Sequence, residues 1–401
     1  MKEAFGELNV PLLKDMPFFK ELTVSGAARV AKYQGDVGTV WAWNAGGVWA
    51  PIPDIRFRAN YGHSVRAPNV SETAFPLVPN FAPGFVDPCQ PGSRGTGIRN
   101  TNCQADLGNL LGNLTDITQS LGIVSGSNPG LKAETSNSLT VGAVLQPRFI
   151  PGFSLTADYY QIKVDGIITS LSAQAIVNSC YDSATLNNVF CAQFQRNRGT
   201  TNGPNGEVPG RILFNTLISA PLNFASRQRR GVDVDLEYRA NIGDVRLGTN
   251  VVYVHVLKNS NYQDPTNPNF ETRNLGQLGD PKDEFRWDVN VGTGPFTFGY
   301  NMHYIGPMLV TAYSDLYTIN GIPPANVDYA DTLEYPAVFY HAIRFDFDIG
   351  KTGSGQKFNF YGGIDNLLDT QPPLGSTATG SGSSIYSFRG RTFYAGFKAK
   401  F

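Results

Sequence analysis

Gly390-Arg391-Thr392-Phe393-Tyr394-Ala395-Gly396-Phe397-Lys398-Ala399-Lys400-Phe401 is the stretch that decides the fold. Phe393, Ala395, Phe397, Ala399 and Phe401 fall in one phase, and Tyr394, Gly396, Lys398 and Lys400 fall in the other. Consecutive side chains of a strand point to opposite faces, so one face of this segment can meet lipid while the other meets water. A soluble sheet can alternate in the same way. It seldom ends a chain on an aromatic residue with no polar tail, which a strand of an outer-membrane barrel does routinely.

The same phase recurs upstream. Ile55, Phe57, Ala59 and Tyr61 alternate with Arg56, Arg58 and Asn60, and Val232, Val234, Leu236 and Tyr238 alternate with Asp233, Asp235, Glu237 and Arg239. Phe285, Trp287, Val289 and Val291 oppose Arg286, Asp288 and Asn290. Phe296, Phe298, Tyr300, Met302 and Tyr304 oppose Thr297, Asn301 and His303, and Ile343, Phe345, Phe347 and Ile349 oppose Arg344, Asp346 and Asp348. The outside of a β-sandwich would be rich in Lys, Thr and Glu; mixed Arg and Asp suit a polar lumen.

Composition agrees with an all-β membrane protein. The chain has 401 residues and a formal net charge of -1, which gives no reason to expect nucleic acid. Hydrophobic residues make up 41% of it but never form the run of about 18 that a membrane helix needs, so strands must do any crossing. Its 43 Gly, 18 Tyr and 26 Phe suit turns, tight barrel positions and aromatic belts at two interfaces.

Thirteen strands can be placed, at 2–10, 21–33, 38–50, 54–64, 134–146, 152–165, 224–240, 245–257, 283–292, 296–306, 337–349, 356–367 and 391–401. Short links lie at 50–53, 147–151, 241–244, 292–295 and 350–355. At every second connection comes a long segment: 65–133, 166–223, 258–282, 307–336 and 368–390. An outer-membrane barrel sorts its connections in this way, with short periplasmic turns on one rim and long external loops on the other. The tight link at 34–37 falls on the long side and is expected to be a short external loop. Thirteen is odd, and an antiparallel barrel closes simply with an even count, so the chain is expected to be a C-terminal partial barrel. Met1 to Glu7 carries no apolar signal core, so the export signal is expected to have been removed or to lie with further sequence ahead of Met1.

Cys89 with Cys103 and Cys180 with Cys191 form two close pairs inside expected loops, which suggests two staples made in oxidising surroundings; four reduced thiols are the alternative. Crossed pairings would have to link separate loops. No CxxC occurs, and His63, His255, His303 and His341 are scattered singly, so no metal site or cofactor is expected. No GxSxG, Walker loop or HExxH points to an enzyme, and the Gly375 to Ser384 tract reads as a flexible loop.

Four segments resemble TonB-dependent outer-membrane receptors: Phe57-Arg58-Ala59-Asn60-Tyr61-Gly62-His63-Ser64-Val65-Arg66-Ala67-Pro68-Asn69, Asn128-Pro129-Gly130-Leu131-Lys132-Ala133-Glu134, Ile364-Asp365-Asn366-Leu367-Leu368-Asp369 and the closing Gly390–Phe401. Pro68 and Pro129 restrict the residues before them and break pairing where a loop leaves or rejoins the sheet. The resemblance implies a parent barrel of about 22 strands, of which roughly nine and an N-terminal plug are not in this sequence. It further implies a bacterial outer-membrane location and coupling to the TonB complex through that plug region. Phe401 is similar to the terminal aromatic read by the outer-membrane assembly machinery. Leu171 to Tyr181 reads as a short helix stapled to its loop, and with Cys191-Ala192-Gln193-Phe194 it resembles an insertion in receptors associated with carbohydrate or other non-siderophore substrates.

The function expected is TonB-dependent uptake of a scarce nutrient such as siderophore-bound iron or carbohydrate. Candidate contacts to a small-molecule ligand lie on loops: Arg66, Arg94, Arg99, Tyr181, Phe194, Arg196, Arg198, Tyr313, Tyr317 and Tyr386. Arg56, Arg58, Asp233, Asp235, Glu237, Arg239, Arg344, Asp346 and Asp348 are expected to line the lumen, pairing across neighbouring strands. A passive porin shares the strands and is separated by conductance. A secreted β-sandwich adhesin would be soluble without detergent. Expressed alone, the open sheet is expected to import nothing, since its unpaired edges are not viable in hydrocarbon.

Overall fold

The computed structural model describes all residues except 34–36, 265, 266, 268, 320, 350–356, 377–384 and 401. The link at 34–37, the link at 350–355, most of the glycine-serine tract and Phe401 therefore fall largely or wholly outside the described residues.

In chain order, β1 (Lys2–Met16), β2 (Phe19–Lys32), β3 (Thr39–Ile52) and β4 (Ile55–Arg66) lead into α1 (Val70–Thr73), β5 (Val78–Val86), α2 (Pro91–Arg94), α3 (Ile98–Leu107) and β6 (Thr118–Ser125). Then come β7 (Glu134–Leu145), β8 (Phe153–Thr169), α4 (Ala173–Asp182), β9 (Leu217–Ser219), β10 (Leu222–Ile242), β11 (Val245–Tyr262) and β12 (Thr272–Arg273). The chain continues through β13 (Asp283–Thr293), β14 (Phe296–Ile305), β15 (Met308–Leu309), α5 (Tyr313–Leu316) and β16 (Glu334–Tyr335) to β17 (Val338–Ile349), β18 (Lys357–Asp365) and β19 (Thr392–Lys400).

One antiparallel sheet runs β1-β2-β3-β4-β7-β8-β10-β11-β13-β14-β17-β18-β19, with the short β12 attached to β11. These are the thirteen expected strands, neighbour to neighbour in sequence order. Among the described residues β1 pairs only with β2 and β19 only with β18, so the sheet is open. No helix is long and apolar enough to cross a membrane among those residues.

The strand ends differ from expectation in one main place. The first strand runs on to Met16, past a bulge between Pro11 and Leu13, and turns tightly through Asp15 and Phe18 in left-handed backbone. Proline hides such a continuation from a propensity reading. It is tolerated here because Pro11 sits at the bulge, where the ladder is already interrupted.

The two faces follow the sequence phase. Trp41, Trp43, Trp49, Phe57, Val141, Trp287, Phe298, Phe345, Phe393 and Phe397 all stand exposed on one face. A soluble protein does not leave so large an apolar surface open. Aromatic groups gather at two levels: Phe19, Trp49 and Phe57, with Phe296 and Phe347, near the short turns, and Trp43, Tyr61 and His63, with Phe285, Tyr304 and Phe339, toward the long connections. Phe296 and Tyr304 are eight residues apart on β14, about 26 Å of strand, which matches the height of a barrel's apolar band.

The polar face is held by charges, though not in the pairing expected. Arg58 reaches past β7 to Asp158 on β8, a two-strand span. Gly142 lies between them in register, and a Cβ there would sit 1.8 Å from Asp158 Oδ1, so the bridge needs glycine. Arg344 binds Asp346 at 2.6 Å and Arg239 binds Glu237, both along a single strand, because residues two apart share a face and arginine is long enough to fold back. Arg56 reaches Glu21 at 3.3 Å across β3, while Asp235 and Asp348 each accept from an asparagine, Asn250 at 2.7 Å and Asn359 at 2.8 Å. Asp233 stands on the same face, in register with Asp158.

Candidate functional site

Every long connection leaves from one rim, and the motifs that flank them build their footings. Arg66, at the end of β4, donates to Glu134 at the start of β7 through Nε at 2.8 Å and also through Nη2, and it reaches Glu72 at 3.2 Å. Glu134 Oε1 accepts from the Ile168 N–H at 2.8 Å, so one carboxylate ties three strands where they leave the sheet. Glu72 belongs to a capping box with Asn69 on α1, and its backbone carbonyl accepts from the Asn128 N–H at 2.8 Å. Asn223 accepts from the Lys132 N–H at 2.9 Å and donates to the Lys132 carbonyl at 3.0 Å. The carboxylate of Glu134 and the backbone at position 132 thus close the corner in the second motif.

The Asn366 to Asp369 motif does the same for the last two strands. Asn366, in left-handed backbone, donates from Nδ2 to the Thr370 carbonyl at 2.9 Å and the Arg389 carbonyl at 3.1 Å. Asp369 accepts from the Arg391 N–H at 2.7 Å. A Cβ at Gly390 would lie 2.7 Å from that same Asp369 oxygen, which accounts for glycine there.

Above these footings, the segments after β4 and β8 pack into one body. Strands β5, β6 and β9 make a small sheet in which β9, from the later segment, pairs in parallel with β6 of the earlier one. Helix α4 forms where a helix is expected. Ser172 caps it by accepting from the Ala175 N–H, and Ala173, Ile176, Val177 and Cys180 make its buried stripe at helical spacing. They pack on Phe85, Leu107, Leu121, Phe190, Ile212 and Leu217. Both disulfides sit in this core, Cys89 with Cys103 and Cys180 with Cys191, as the spacing predicts.

Six of the ligand candidates lie in this body, and its packing occupies five of them. Arg196 is 1% exposed and donates both terminal nitrogens to Asp87, at 2.7 and 2.9 Å, and Nε to the Tyr181 hydroxyl at 2.6 Å. Tyr181 in turn donates to Asp106 at 2.7 Å. Burial pushes the Tyr181 hydroxyl well above its ordinary pKa; burial works against the Arg196 charge, but Asp87 and Tyr181 together more than offset it. Arg99 bridges to Asp182 with two bonds of 2.6 Å, and Arg198 pairs with Asp106 at the surface. Phe194 lies under the Arg196 guanidinium, 5.7 Å from it. A cavity of about 370 Å³ remains beside them, lined by Asp106, Tyr181, Phe194, Gln195, Arg198 and the Cys180–Cys191 bridge. Arg94, half-buried on α2, has no side-chain partner among the described residues.

A second, smaller cluster covers the far end of the rim. Tyr386 is 2% exposed among Ile305, Met308 and Val338, and burial pushes its hydroxyl up to about 12. That hydroxyl has no hydrogen-bond partner among the described residues. Tyr313 packs against Tyr317 with tilted rings 4.9 Å apart and carries the Arg273 guanidinium 4.3 Å from its ring. Beneath the 385–390 segment the polar face holds a cavity of about 280 Å³ lined by Asn301, His303, Tyr340, Asp365, Arg389 and Thr392. These residues come from four strands and a loop, so no spacing in the sequence points to them. Strand register alone brings them together.

The computed structure is similar to the crystal structure of the siderophore receptor PirA from Acinetobacter baumannii, at 15% identity and a TM-score of 0.59, over 98% of this chain and 45% of that one. It is similar to the ferric enterobactin receptor PfeA from Pseudomonas aeruginosa at 15% identity and a TM-score of 0.57, over 99% of this chain and 44% of that one. The chain thus spans less than half the length of these receptors. No curated protein matches its sequence. At such identities the structures speak for the fold; the sequence itself matches the profile of the family described as TonB dependent receptor-like, beta-barrel over residues 3–367, and the chain belongs to that family.

Proposed function

We propose that the protein serves TonB-dependent uptake of a scarce small-molecule nutrient across a bacterial outer membrane. In this reading the exposed aromatic face meets lipid, the charge-paired face lines the lumen, and the long connections face outward and capture ligand. The observation that carries it is the segregation of the rims: turns on one side, and on the other two packed loop bodies standing over a polar face that keeps a cavity at His303, Asp365 and Arg389. Coupling to TonB would come through a plug region, and insertion through the assembly machinery acting on the closing strand.

The two neighbours named above are a siderophore receptor and a ferric enterobactin receptor, and ferric siderophores are the first ligand class to be tried. The test is growth on single limiting nutrients, ferric siderophores and oligosaccharides among them, in paired strains with and without TonB. Uptake should require TonB, and Asp365→Asn with Arg389→Gln should weaken it at low ligand concentration. TonB-independent uptake with passive conductance would make the protein a porin instead.

A further inference from the structure

On the apolar face of β8, β10 and β11, the aromatic level nearest the long connections is made by Tyr159, Tyr253 and His255, with Tyr159 and His255 both in register with Val232. One level farther toward the loops, two residues or about 7 Å along the strand, that face changes character. Gln161, Arg230 and Lys258 stand in one row across the three strands, and Lys163 stands in the next. Register shifts between Arg230 and Gly231, which leaves Leu257 unpaired and brings Lys258 opposite Arg230. Beyond β11 the same face of β14 and β17 ends in Tyr304 and Phe339, so the basic row is local.

The three cations are not equally committed. Lys163 lies 2.9 Å from Asp165, and Lys258 lies 3.6 Å from Glu271 with its ammonium 5.5 Å from the Tyr262 ring. Arg230 is exposed and has no side-chain partner among the described residues. Its sequence neighbour Arg229 projects from the opposite, polar face, as does Arg227, which donates to Asn259 at 3.2 Å. An uncompensated guanidinium flanked by two shared ammonium groups, just above an aromatic level, stands where headgroups meet a membrane protein.

We infer that Lys163, Arg230 and Lys258 form a binding site for the phosphate groups of a lipid in the leaflet on the long-loop side. The inference rests on reading the aromatic face as lipid-facing. Arg230 would take a phosphate through its planar fork, and the lysines would add point charge on either side. Their carboxylate partners would loosen as the phosphate arrives, so the site holds its charge partly masked until lipid binds.

The test uses the protein extracted in nonionic detergent from the membrane in which it is made. It is titrated with diphosphoryl lipid A in mixed micelles, with phosphatidylcholine and inorganic phosphate as comparators, and lipid carried per protein is read by native mass spectrometry. Arg230→Gln should weaken binding about fivefold and the triple Gln variant by on the order of a hundredfold. Arg230→Lys should fall between wild type and Arg230→Gln, because it keeps the charge and loses the fork, and Arg229→Gln should change binding less than twofold. Asp165→Asn and Glu271→Gln should tighten it by releasing the lysines. Equal binding by Arg230→Gln and wild type, equal loss in Arg229→Gln, or full displacement of lipid by inorganic phosphate at matched concentration would each overturn the site. If the triple variant fails to insert, the single variants decide. A wild-type protein that stays in the aqueous fraction would instead overturn the lipid-facing reading itself.

Discussion

The two loop bodies on the long rim are built on different principles. The one made by the segments after β4 and β8 has sixteen buried residues in its core, against four in the cluster of Tyr386, among the described residues. It carries two disulfides, a small sheet and a buried ion pair, so it is in effect a small domain whose strands and helices come from two connections. The second body has β12, β15 and β16, of two residues each, and leans on the ends of β14 and β17 for its apolar contacts. The first can hold its shape on its own interior; the second depends on the sheet beneath it. If ligand capture requires a loop to close, the second body is the one with the smaller barrier to movement.

That contrast can be broken first at Arg196. Arg196→Met leaves Asp87 buried without its partner, and loss of one member of such a pair costs about 3–5 kcal/mol. The expected outcome is rapid proteolytic cutting within 78–219 while the strands of the large sheet stay protected. Unchanged protease resistance would show that the core does not depend on the pair.

Replacing Cys180 and Cys191 by serine should cost about 2–4 kcal/mol in the same assay. Mass mapping of non-reduced peptides from the native protein should recover Cys89 joined to Cys103 and Cys180 joined to Cys191, and any crossed peptide would contradict a core with both bridges inside it. Mild reduction should leave the Tyr386 cluster unaffected, since it contains no cysteine.

Acid should act on the first body through Glu207. Burial raises its carboxyl pKa, but the N–H groups of Phe214 and Asn205, at 2.9 and 3.0 Å, more than offset that and hold it below the ordinary 4.5. A depressed folded value means that the stabilisation is complete above the unfolded pKa and is lost as pH falls through the folded one. Protease resistance of 199–214 should therefore hold down to about pH 4.5 and decline below it, and Glu207→Gln should flatten that decline.

The smallest expected effect is Tyr386→Phe. Its hydroxyl is buried and has no partner among the described residues, so removing it should be neutral or should stabilise the cluster by about 1 kcal/mol. Destabilisation on thermal melting would reveal that a water or ligand atom meets the hydroxyl in the working protein.

Much of this molecule was legible in the chain because a strand in lipid leaves a period-two record that a turn or proline interrupts. The closing segment from Arg391, the alternation at Val232 to Arg239, and the sorting of connections into short and long all survive in the structure. The short helix read over Leu171 to Tyr181 forms at Ala173–Asp182. The candidate ligand residues were less so. Arg196 and an exposed loop arginine look alike in a sequence, and what separates them is Asp87, over a hundred positions earlier.

Alternation and charge by themselves determined the sheet, its order and its two faces, and cysteine spacing pointed to both disulfides, since each depends on neighbours close in the chain. Only the tertiary structure decided that two loops form one body through the parallel pairing of β6 and β9, that Glu134 ties three strands, and that Arg230 and Arg229 face opposite ways in register with Gln161 and Ile162. Those outcomes depend on register and long-range packing, where a shift of one residue turns every side chain to the other face, and no local pattern records them.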